Sequence, residues 1–569
     1  MRHGMLLLSA SLAIGSVVAT TAPAEAAIRR VSSATGLTNA VAAANPGDVI
    51  EIAGGSYRVN LVITRSGTSS APITLRPVSG QAVILSAANS ATRVIDLRSA
   101  SYWKIDRLKM RGTRHAVVQI SGGTHNTISN CEIYDSTKKG IIANGDSIVI
   151  EGCTFHDIKQ PVGGEDTQSI AAWRASRLRI RDNLFASPGD GILIGGAGQL
   201  SLTSTDVRIY RNHFHAKDSW YGTWHTENAI DIKNVDGLVI TDNVIHHYRG
   251  HADDDPMGTG MNIVTRDPEV NGTIANVRVE RNKFYDLVRA VAIMGADGPG
   301  RNLVFRQNVV YAALWDNAVE AKPPGAIYIG DWSGAKIDNN TLVDIDNAAV
   351  YTHGDLDGFT FRNNILRRSA GLVRENSGGV IDYTCRFSSG STNGRHDVVA
   401  NQRFVDDAGR DYRLTADSPC VDRGAGVGLP YRGAAPDMGR YEYDGVARSA
   451  LTMPSDEEPA EPPEDGRPPD WASVSSESPS DVELGPELGW YTQPGMSADL
   501  LEDDPPAARL SQDEGGGVRH VPPPSSAGVA MAGASNGGCG IAPGARVGSG
   551  SWIVVLFALA SATVFRRVT

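Results

Sequence analysis

The strongest constraint on the fold is a short pattern that recurs along most of the chain. Each copy has a β-branched or aromatic residue, two variable residues, Asn or Cys, one variable residue and an apolar residue. The Asn or Cys positions of nine copies are Cys131, Cys153, Asn183, Asn212, Asn243, Asn282, Asn308, Asn340 and Asn364. Their spacings are 22, 30, 29, 31, 39, 26, 32 and 24 residues. A repeat of this period indicates one stacked architecture, whereas the length of 569 residues taken alone would indicate about three domains.

The repeats predict coils built from short strands. A second strand follows several copies after a turn of variable length: Gly191–Ile194, Ala229–Ile232, Gly260–Ile263, Ala290–Ile293 and Ala326–Ile329. The spacings are too short for strand–helix–strand units and favour an all-β parallel β-helix of roughly ten to twelve coils. We expect the Asn side chains to hydrogen-bond along their column, and Asn to take the left-handed backbone of the bend. Thr35 is expected to cap a short N-terminal helix, carrying Leu37, Val41 and Ala44, that covers the open end of the stack.

The cysteines also fit a stack of coils. Cys131 and Cys153 lie at equivalent positions in successive coils, where they can either bond or stack. A strand spacing of about 4.8 Å favours stacking, because disulfide geometry is demanding. Cys385 and Cys420 are the better candidates for a disulfide, which would hold the irregular C-terminal end together.

Both ends of the repeat region resemble a known group of proteins. The opening runs Pro46–Ile50, Gly55–Tyr57 and Ser66–Ile73 are similar to the first coils of right-handed parallel β-helix proteins of the pectate-lyase-like superfamily. The runs Asp411–Leu414, Ser418–Asp422 and Pro436–Gly439 are similar to their terminal coils. The resemblance covers residues 33–443 and implies the fold strongly and the chemistry weakly.

The two ends of the chain indicate export and attachment. Residues 1–27 have a short basic start, an apolar run and a small-residue cleavage pattern, which predict a signal peptide and a secreted protein. Residues 28–444 form the predicted β-helix domain, and residues 445–538 a disordered, acidic, Pro-rich stalk. Residues 539–569 contain Cys539, an apolar stretch and two final arginines, and resemble a myxosortase-type sorting tail. A plain membrane anchor is the alternative, and either tail would hold the protein at the outer membrane or cell surface.

The net charge of −11 belongs mainly to the stalk. Residues 445–538 contain 17 acidic residues and four arginines, whereas residues 28–444 have a net charge of −1. This distribution excludes a broad polybasic surface, so no nucleic-acid partner is predicted. We expect a monomer whose partner is an anionic polysaccharide, attracted locally by Lys233, Arg266 or a bound cation.

Strand alternation predicts which side chains of the second strands face outward. These are Trp173, Leu193, Asp231, Lys233, Asn262, Ala292, Met294, Tyr328, Tyr351 and His353. The longest turns lead into this face, and they carry Trp220, Tyr221, Trp224, His225, Glu227, His251, Asp253, Asp254 and Asp255. Long loops on one face of a solenoid commonly carry function. The polar and aromatic face is therefore the predicted site.

The segment Glu227–Lys233 resembles the metal-and-lysine strand of β-helix polysaccharide lyases such as alginate lyases and chondroitinase B. The resemblance implies that Glu227 or Asp231 handles a metal or the substrate carboxylate, that Lys233 is the base, and that Arg266 is the neighbouring cation. The chain departs from that family, because the second acid and the Arg-His-Gly run are not reproduced. Arg266 also lies at the end of its strand instead of within it.

These residue types suit β-elimination of a uronic-acid polysaccharide. A cation, either Ca²⁺ or an arginine, is expected to neutralise the substrate carboxylate before a base removes the adjacent proton. The acids Asp253, Asp254 and Asp255 are candidate additional oxygen ligands. The candidate sugar contacts are Trp173, Trp220, Tyr221, Trp224, Asn262, Tyr328, Tyr351 and His353.

Other interpretations of the same residues remain open. Asp190 and Asp231 lie near equivalent places on successive coils, as a polyuronide hydrolase with paired carboxylates would require, although Asp190 is also a typical turn residue. Asp231 and Lys233 can be a solvated ion pair, the acidic run a loop tip and the aromatic residues packing groups. A non-catalytic glycan-binding or adhesive protein is the third alternative. His246 and His247 follow the Asn column away from this face, so no metal role is predicted for them.

Overall fold

The computed structural model describes residues 26–89, 93–160, 166–196, 203–217, 220, 223–224, 226–248, 259–265, 273–295, 300–313, 325–346, 348–374, 379–443 and 445. The predicted signal peptide up to residue 25, most of the stalk and the C-terminal tail lie outside these residues. No helix in the described ranges is long and apolar enough to cross a membrane.

Three long parallel sheets form the body, and successive strands of the chain pass from one sheet to another. The first sheet contains, among the described residues, Ile28–Val31, Val49–Ile52, Ile73–Pro77, Trp103–Asp106, Thr127–Ser129, Val149–Glu151, Arg179–Arg181, Ser204–Tyr210, Val235–Thr241, Ile274–Glu280, Gly300–Arg306, Trp332–Asp338, Thr360–Arg362 and Val380–Asp382. The second contains Leu61–Ile63, Ile95–Arg98, Ala116–Thr124, Lys139–Asp146, Gln168–Ala172, Asp190–Ile194, Ile230–Ile232, Thr259–Val264, Arg289–Met294, Ile327–Gly330, Val350–His353 and Leu372–Arg374. The third contains Gly55–Val59, Val83–Ala87, Lys109–Thr113, Glu132–Ser136, Thr154–Ile158, Leu184–Ala186, His213–His215, Val244–His246, Lys283–Leu287, Val309–Ala313, Thr341–Ile345, Ile365–Ser369, Cys385–Phe387 and Val398–Val399.

This arrangement is the predicted parallel β-helix. Each strand pairs in parallel with the strand one coil earlier and the strand one coil later, as Ile192 does with Ile170 and Ile230. Apolar side chains from the sheets fill the interior, where the rings of Phe155, Phe185 and Phe214 stack at centroid distances of 4.9 and 4.5 Å. In the described coils the interior is therefore filled by packed side chains.

The predicted asparagine column forms a hydrogen-bonded ladder. The Nδ2 of Asn243 donates to Oδ1 of Asn282 at 2.9 Å, and the Nδ2 of Asn212 donates to Oδ1 of Asn243 at 3.0 Å. The prediction about the bend was wrong in one respect. The left-handed backbone belongs to the residue before each column position, for example Asp242 with φ 58°, because the column Asn must point its side chain inward to meet its neighbours.

The two ends of the helix also differ in detail from expectation. The helix Ala34–Ala42 is capped by Ser33 and not by Thr35, since Ser33 has an extended backbone and its hydroxyl accepts from the Gly36 N–H at 3.1 Å. Leu37 and Val41 are buried, as predicted. At the other end, strands Phe404–Asp406 and Asp411–Leu414 pair in antiparallel fashion.

The cysteine predictions are confirmed. Cys385 and Cys420 form a disulfide that joins a strand of the third sheet to the C-terminal segment. Cys131 and Cys153 are buried free thiols on successive coils, and the Cys131 N–H lies 3.5 Å from Sγ of Cys153.

Candidate functional site

The strand Asp190–Ile194 of the second sheet begins with an irregular backbone pairing, which decides which of its side chains lie on the outer face. The N–H groups of Gly191 and Ile192 donate to two consecutive carbonyls of the next coil, Asn228 O at 3.1 Å and Ala229 O at 3.0 Å. A Cβ added at Gly191 would lie 2.8 Å from the core ring of Phe214. Residues 191 and 192 therefore both face the core, and residue 190 joins the outer face instead of the inner one.

The irregularity places a row of polar residues along one edge of the outer face. Each precedes a small residue at the start of its strand: Lys139, Gln168, Asp190, Asn228, Thr259 and Arg289. A second row lies beside it at the strand centres, where Asp231 pairs with Leu193 on one side and Asn262 on the other. The row continues through Ala292, Tyr328 and Tyr351.

Asp190 is an acid in an almost fully enclosed position. Its Oδ1 accepts from the backbone N–H of Asn228 at 3.2 Å and from Asn228 Nδ2 at 3.4 Å, and its Oδ2 accepts from Gln168 Nε2 at 3.3 Å. Only 2% of the residue is exposed. Burial, together with the charges of Glu227 and Asp231, raises the pKa of Asp190 well above its usual value.

Asp231 and Lys233 form an ion pair, with Lys233 Nζ 2.7 Å from Asp231 Oδ1. The same oxygen accepts from Asn262 Nδ2 at 3.0 Å. The side chains are 15% exposed for Lys233 and 8% for Asp231, so the pair is not the water-exposed one that strand alternation predicts. Neighbouring strands lie on both sides of this position and shield it. Burial raises the pKa of Asp231, and Lys233 only partly offsets it.

The chemistry of the acidic part of this face suits a hard cation. Asp190, Glu227 and Asp231 offer carboxylate oxygens, and the buried Oδ1 of Asn228 has no hydrogen-bond partner. Oxygen donors of this kind are those that Ca²⁺ prefers. In the described ranges, however, these three carboxylates do not form a group whose oxygens all lie within 4.8 Å of one another, so an assembled cation site is not present here.

Aromatic side chains lie further along the same face. The rings of Tyr328 and Tyr351 stack at 5.6 Å, and the ring of His353 lies 5.0 Å from that of Tyr328. The guanidinium of Arg289 lies over Tyr328 at 5.3 Å, and its buried environment lowers the pKa of Arg289 to about 10. Tyr328 is three strands from Asp231, or about 14 Å. Tyr328 and Tyr351 are only 6% and 9% exposed, however, so the open aromatic surface that strand alternation predicts is not present at these two residues.

The predicted tryptophans have different environments. Trp173 and Trp224 are partly exposed, and each lies beside a lysine: Lys139 is 5.8 Å from the Trp173 ring and Lys159 is 4.6 Å from the Trp224 ring. Trp220 packs against the core, as the packing interpretation of the loop aromatics expects.

The fold has known counterparts. Residues 17–177 match the family described as "Pel9A-like, right handed beta helix region". Solved structures with a similar fold include an alginate lyase from Paenibacillus sp. str. FPU-7, with 16% identity, a TM-score of 0.38 and coverage of 64% of this chain and 99% of that chain. The PL6 family alginate lyase AlyGC has 16% identity, a TM-score of 0.49 and coverage of 68% and 55%. The GH136 lacto-N-biosidase from Eubacterium ramulus has 11% identity, a TM-score of 0.43 and coverage of 63% and 68%.

No curated protein matches the sequence. Two of the three solved structures are alginate lyases and the third is a lacto-N-biosidase.

The structure brings some of the predicted site residues together and leaves others out. Glu227, Asp231, Lys233 and Asn262 cluster on the second sheet, whereas Tyr328, Tyr351 and His353 form the aromatic part. The predicted residues Tyr221, Asp253, Asp254, Asp255 and Arg266 lie outside the described residues.

The row that contains Gln168, Asn228 and Arg289 was not predicted from the sequence, and Asp190 was interpreted mainly as a turn residue. A sequence pattern could have predicted this row. A polar residue, a small residue and an apolar residue follow one another at the start of several strands, as in Asp190-Gly191-Ile192. If side chains alternated strictly along the strand, Asp190 would face the core as Ile192 does. The irregular backbone pairing at Gly191 and Ile192 turns Asp190 to the outer face instead.

Proposed function

We propose that the protein is a secreted polysaccharide lyase that cleaves a uronic-acid-containing chain by β-elimination. The observation that carries the proposal is the Lys233–Asp231 pair, in which the more exposed member is the lysine and the buried member is an acid with a raised pKa. A substrate approaching this face meets Lys233 before it meets Asp231.

Lys233 must be neutral to act as a base. In the ion pair its proton is shared with a carboxylate whose pKa is raised by burial, so transfer of that proton to Asp231 costs less than it would in water. The neutral amine then takes the proton at C5 of the uronate, the C4–O4 bond breaks, and a C4=C5 double bond forms. The leaving oxygen receives a proton from solvent. Asp231 is thus the proposed proton store, and Lys233 the proposed catalytic base.

The negative charge of the substrate must be balanced at the same place. Burial raises the pKa of Asp190, which reduces the negative charge that this residue presents toward a uronate. A bound Ca²⁺ would supply positive charge toward the substrate carboxylate and toward the charge that develops on it. Arg266 is the further proposed cation, and it lies outside the described residues.

Hydrolysis by paired carboxylates is the second candidate, favoured by one observation. Burial raises the pKa of Asp190, and Asp231 lies beside it in an ion pair with Lys233; two neighbouring carboxyl groups in different environments are the arrangement that glycosidases use. We rank it second because Asp190 is 2% exposed and would have to reach the glycosidic oxygen directly.

The site also suits a surface location. We propose that residues 1–27 direct export and that the segment 539–569 holds the protein at the cell surface, where an anionic polysaccharide is the substrate. The near-neutral body, with net charge −1 for residues 28–444, leaves local groups to attract that substrate.

The test is incubation of the full chain with alginate, pectate and glycosaminoglycans, with and without Ca²⁺, while the ultraviolet absorbance of the unsaturated product is followed. Lys233→Ala is expected to lower the rate by about 10²–10⁴-fold. The control Lys104→Ala removes an exposed lysine from the first sheet and should leave the rate unchanged.

Three outcomes would contradict the lyase. Full activity in Lys233→Ala would exclude this base. New reducing ends without ultraviolet absorbance would favour hydrolysis. Retarded migration in glycan-loaded gels without any cleavage would leave a binding protein.

A further inference from the structure

Four histidines lie together on the third sheet, away from the proposed lyase site on the second. Strands His213–His215 and Val244–His246 pair so that His215 lies directly opposite His246. His247 follows in a left-handed bend with φ 63°. The donor atoms of His215, His246 and His247 all lie within 4.8 Å of one another, a closeness that no other set of three His, Cys, Asp or Glu side chains reaches in the described ranges.

The hydrogen bonds around His247 orient its ring. Its Nε2 lies 2.9 Å from Oδ2 of Asp286 on the next coil. A carboxylate at this distance favours the tautomer with the proton on Nε2, which leaves the lone pair on Nδ1. That Nδ1 lies 2.5 Å from Nδ1 of His246. A carboxylate behind a histidine is the usual second partner of a metal-bound imidazole.

His246 is fully buried, and the rings of His213 and His215 lie 4.9 and 4.7 Å from its ring. The other charged or titratable groups nearby are Lys283, Tyr285, whose ring stacks on His246 at 4.5 Å, and Asp286.

We propose that His215, His246 and His247 form a three-imidazole site for Zn²⁺ or a similar first-row divalent ion, with Asp286 as the positioning residue of His247. Nitrogen donors select such ions over Ca²⁺. With Zn–N bonds of about 2.0–2.1 Å in a tetrahedral site, two nitrogens lie about 3.3 Å apart, so the 2.5 Å contact opens by less than ~1 Å. His215 and His247 are partly exposed, which gives the ion a route of entry and leaves a fourth position for water.

A chain of neutral hydrogen bonds is the arrangement that competes with metal binding. His213 Nε2 lies 2.7 Å from His246 Nε2, so protons can run from His213 to His246, then to His247 and then to Asp286. This chain satisfies the four side chains without an ion, and it makes no use of His215. The behaviour of a His215 variant therefore separates the two arrangements.

The test uses the untagged full chain, stripped with a chelator and dialysed against Co²⁺, Zn²⁺ or Ca²⁺. We expect one Co²⁺ per chain with the visible absorption of a four-coordinate ion, displacement of that absorption by Zn²⁺, and a higher melting temperature with Zn²⁺ but not with Ca²⁺. His215→Ala and His247→Ala should each weaken binding at least 10-fold. The control His125→Ala alters an exposed histidine that stacks on Tyr102, and it should bind like the wild type.

Equal Zn²⁺ binding by the wild type and His215→Ala, or no binding by the wild type, would overturn the proposal and support the hydrogen-bonded chain. Circular dichroism of the metal-free variants checks that they fold. If one does not fold, Zn²⁺ must still protect the wild-type histidines from acylation by diethyl pyrocarbonate, and no protection would refute the site. This site is independent of Lys233, so its failure leaves the lyase proposal unaffected.

Discussion

The buried carboxyl of Asp190 is expected to make the folded protein less stable as the pH rises. Its pKa is raised in the folded protein, so the folded state keeps its proton at a pH where the unfolded chain, with a pKa of about 3.9, has lost it. Below that pH both states are protonated and Asp190 has no effect on stability. As the pH rises from there to the folded pKa, stability falls, because the unfolded state releases the proton first.

The substitution Asp190→Asn removes this penalty. The free energy of unfolding of the variant, relative to the wild type, should rise with pH by up to about 1.4 kcal/mol per pH unit and level off above the folded pKa. Asn keeps the acceptor for Asn228 but places a donor against Gln168, so one hydrogen bond is lost at a cost of about 1 kcal/mol. That cost is independent of pH and does not change the slope.

Asp48→Asn is the matched control, because it should show the opposite slope. Burial alone would raise the pKa of Asp48, but hydrogen bonds from the N–H groups of Asn45 and Ala27 and from Arg29 outweigh it and lower the pKa. The wild type therefore gains stability as the pH rises through the folded pKa of Asp48 toward about 3.9. The free energy of unfolding of Asp48→Asn, relative to the wild type, should fall over the same pH range.

The assay is urea unfolding of the three proteins, followed by far-ultraviolet circular dichroism at several pH values from about 2 to 8, so that the acidic range of Asp48 is included. A difference between Asp190→Asn and wild type that stays flat within about 0.5 kcal/mol would refute a raised pKa for Asp190. The same variant distinguishes the two enzyme proposals. A lyase based on Lys233 should retain most of its rate, whereas a hydrolase that uses Asp190 as the acid should lose about 10²–10⁴-fold.

Two further predictions concern the scaffold. Asn243→Ala should lower the free energy of unfolding by roughly 2–9 kcal/mol, because it leaves about two or three buried partners unpaired at ~1–3 kcal/mol each. Urea unfolding measures this, with Asn60→Ala, at an exposed position, as the control and a loss below about 1 kcal/mol as the contrary result. Cys385→Ser should lower stability by roughly 3–4 kcal/mol through loss of the disulfide to Cys420, which spans 35 residues; a melting temperature equal to that of the wild type, with or without reductant, would speak against that contribution.

Much of the fold follows from local pattern in the sequence. The Asn or Cys column, its spacing and the apolar strands that follow it were sufficient to predict the stacked coils. This succeeds because a solenoid makes each coil contact mainly its neighbours, so a repeated residue in the sequence becomes a stacked residue in space. The details that failed are local backbone choices, such as Ser33 instead of Thr35 as the helix cap.

The candidate site depended on tertiary structure to a greater extent. The sequence placed Asp231, Lys233 and Asn262 on one face, since alternation along a strand needs no knowledge of the neighbours. Whether those groups meet water was decided by burial between adjacent coils, which raises the pKa of Asp231. Asp190 reached the same face only through an irregular pairing at the start of its strand.

The histidine cluster shows the same division most clearly. His215 and His246 are 31 residues apart in the sequence, and Asp286 is a further 40 residues away. The sequence by itself determined that the chain winds into stacked coils, because that needs only a period. Which side chains face each other across coils of unequal length was decided by the register between strands, and that register exists only in the folded stack.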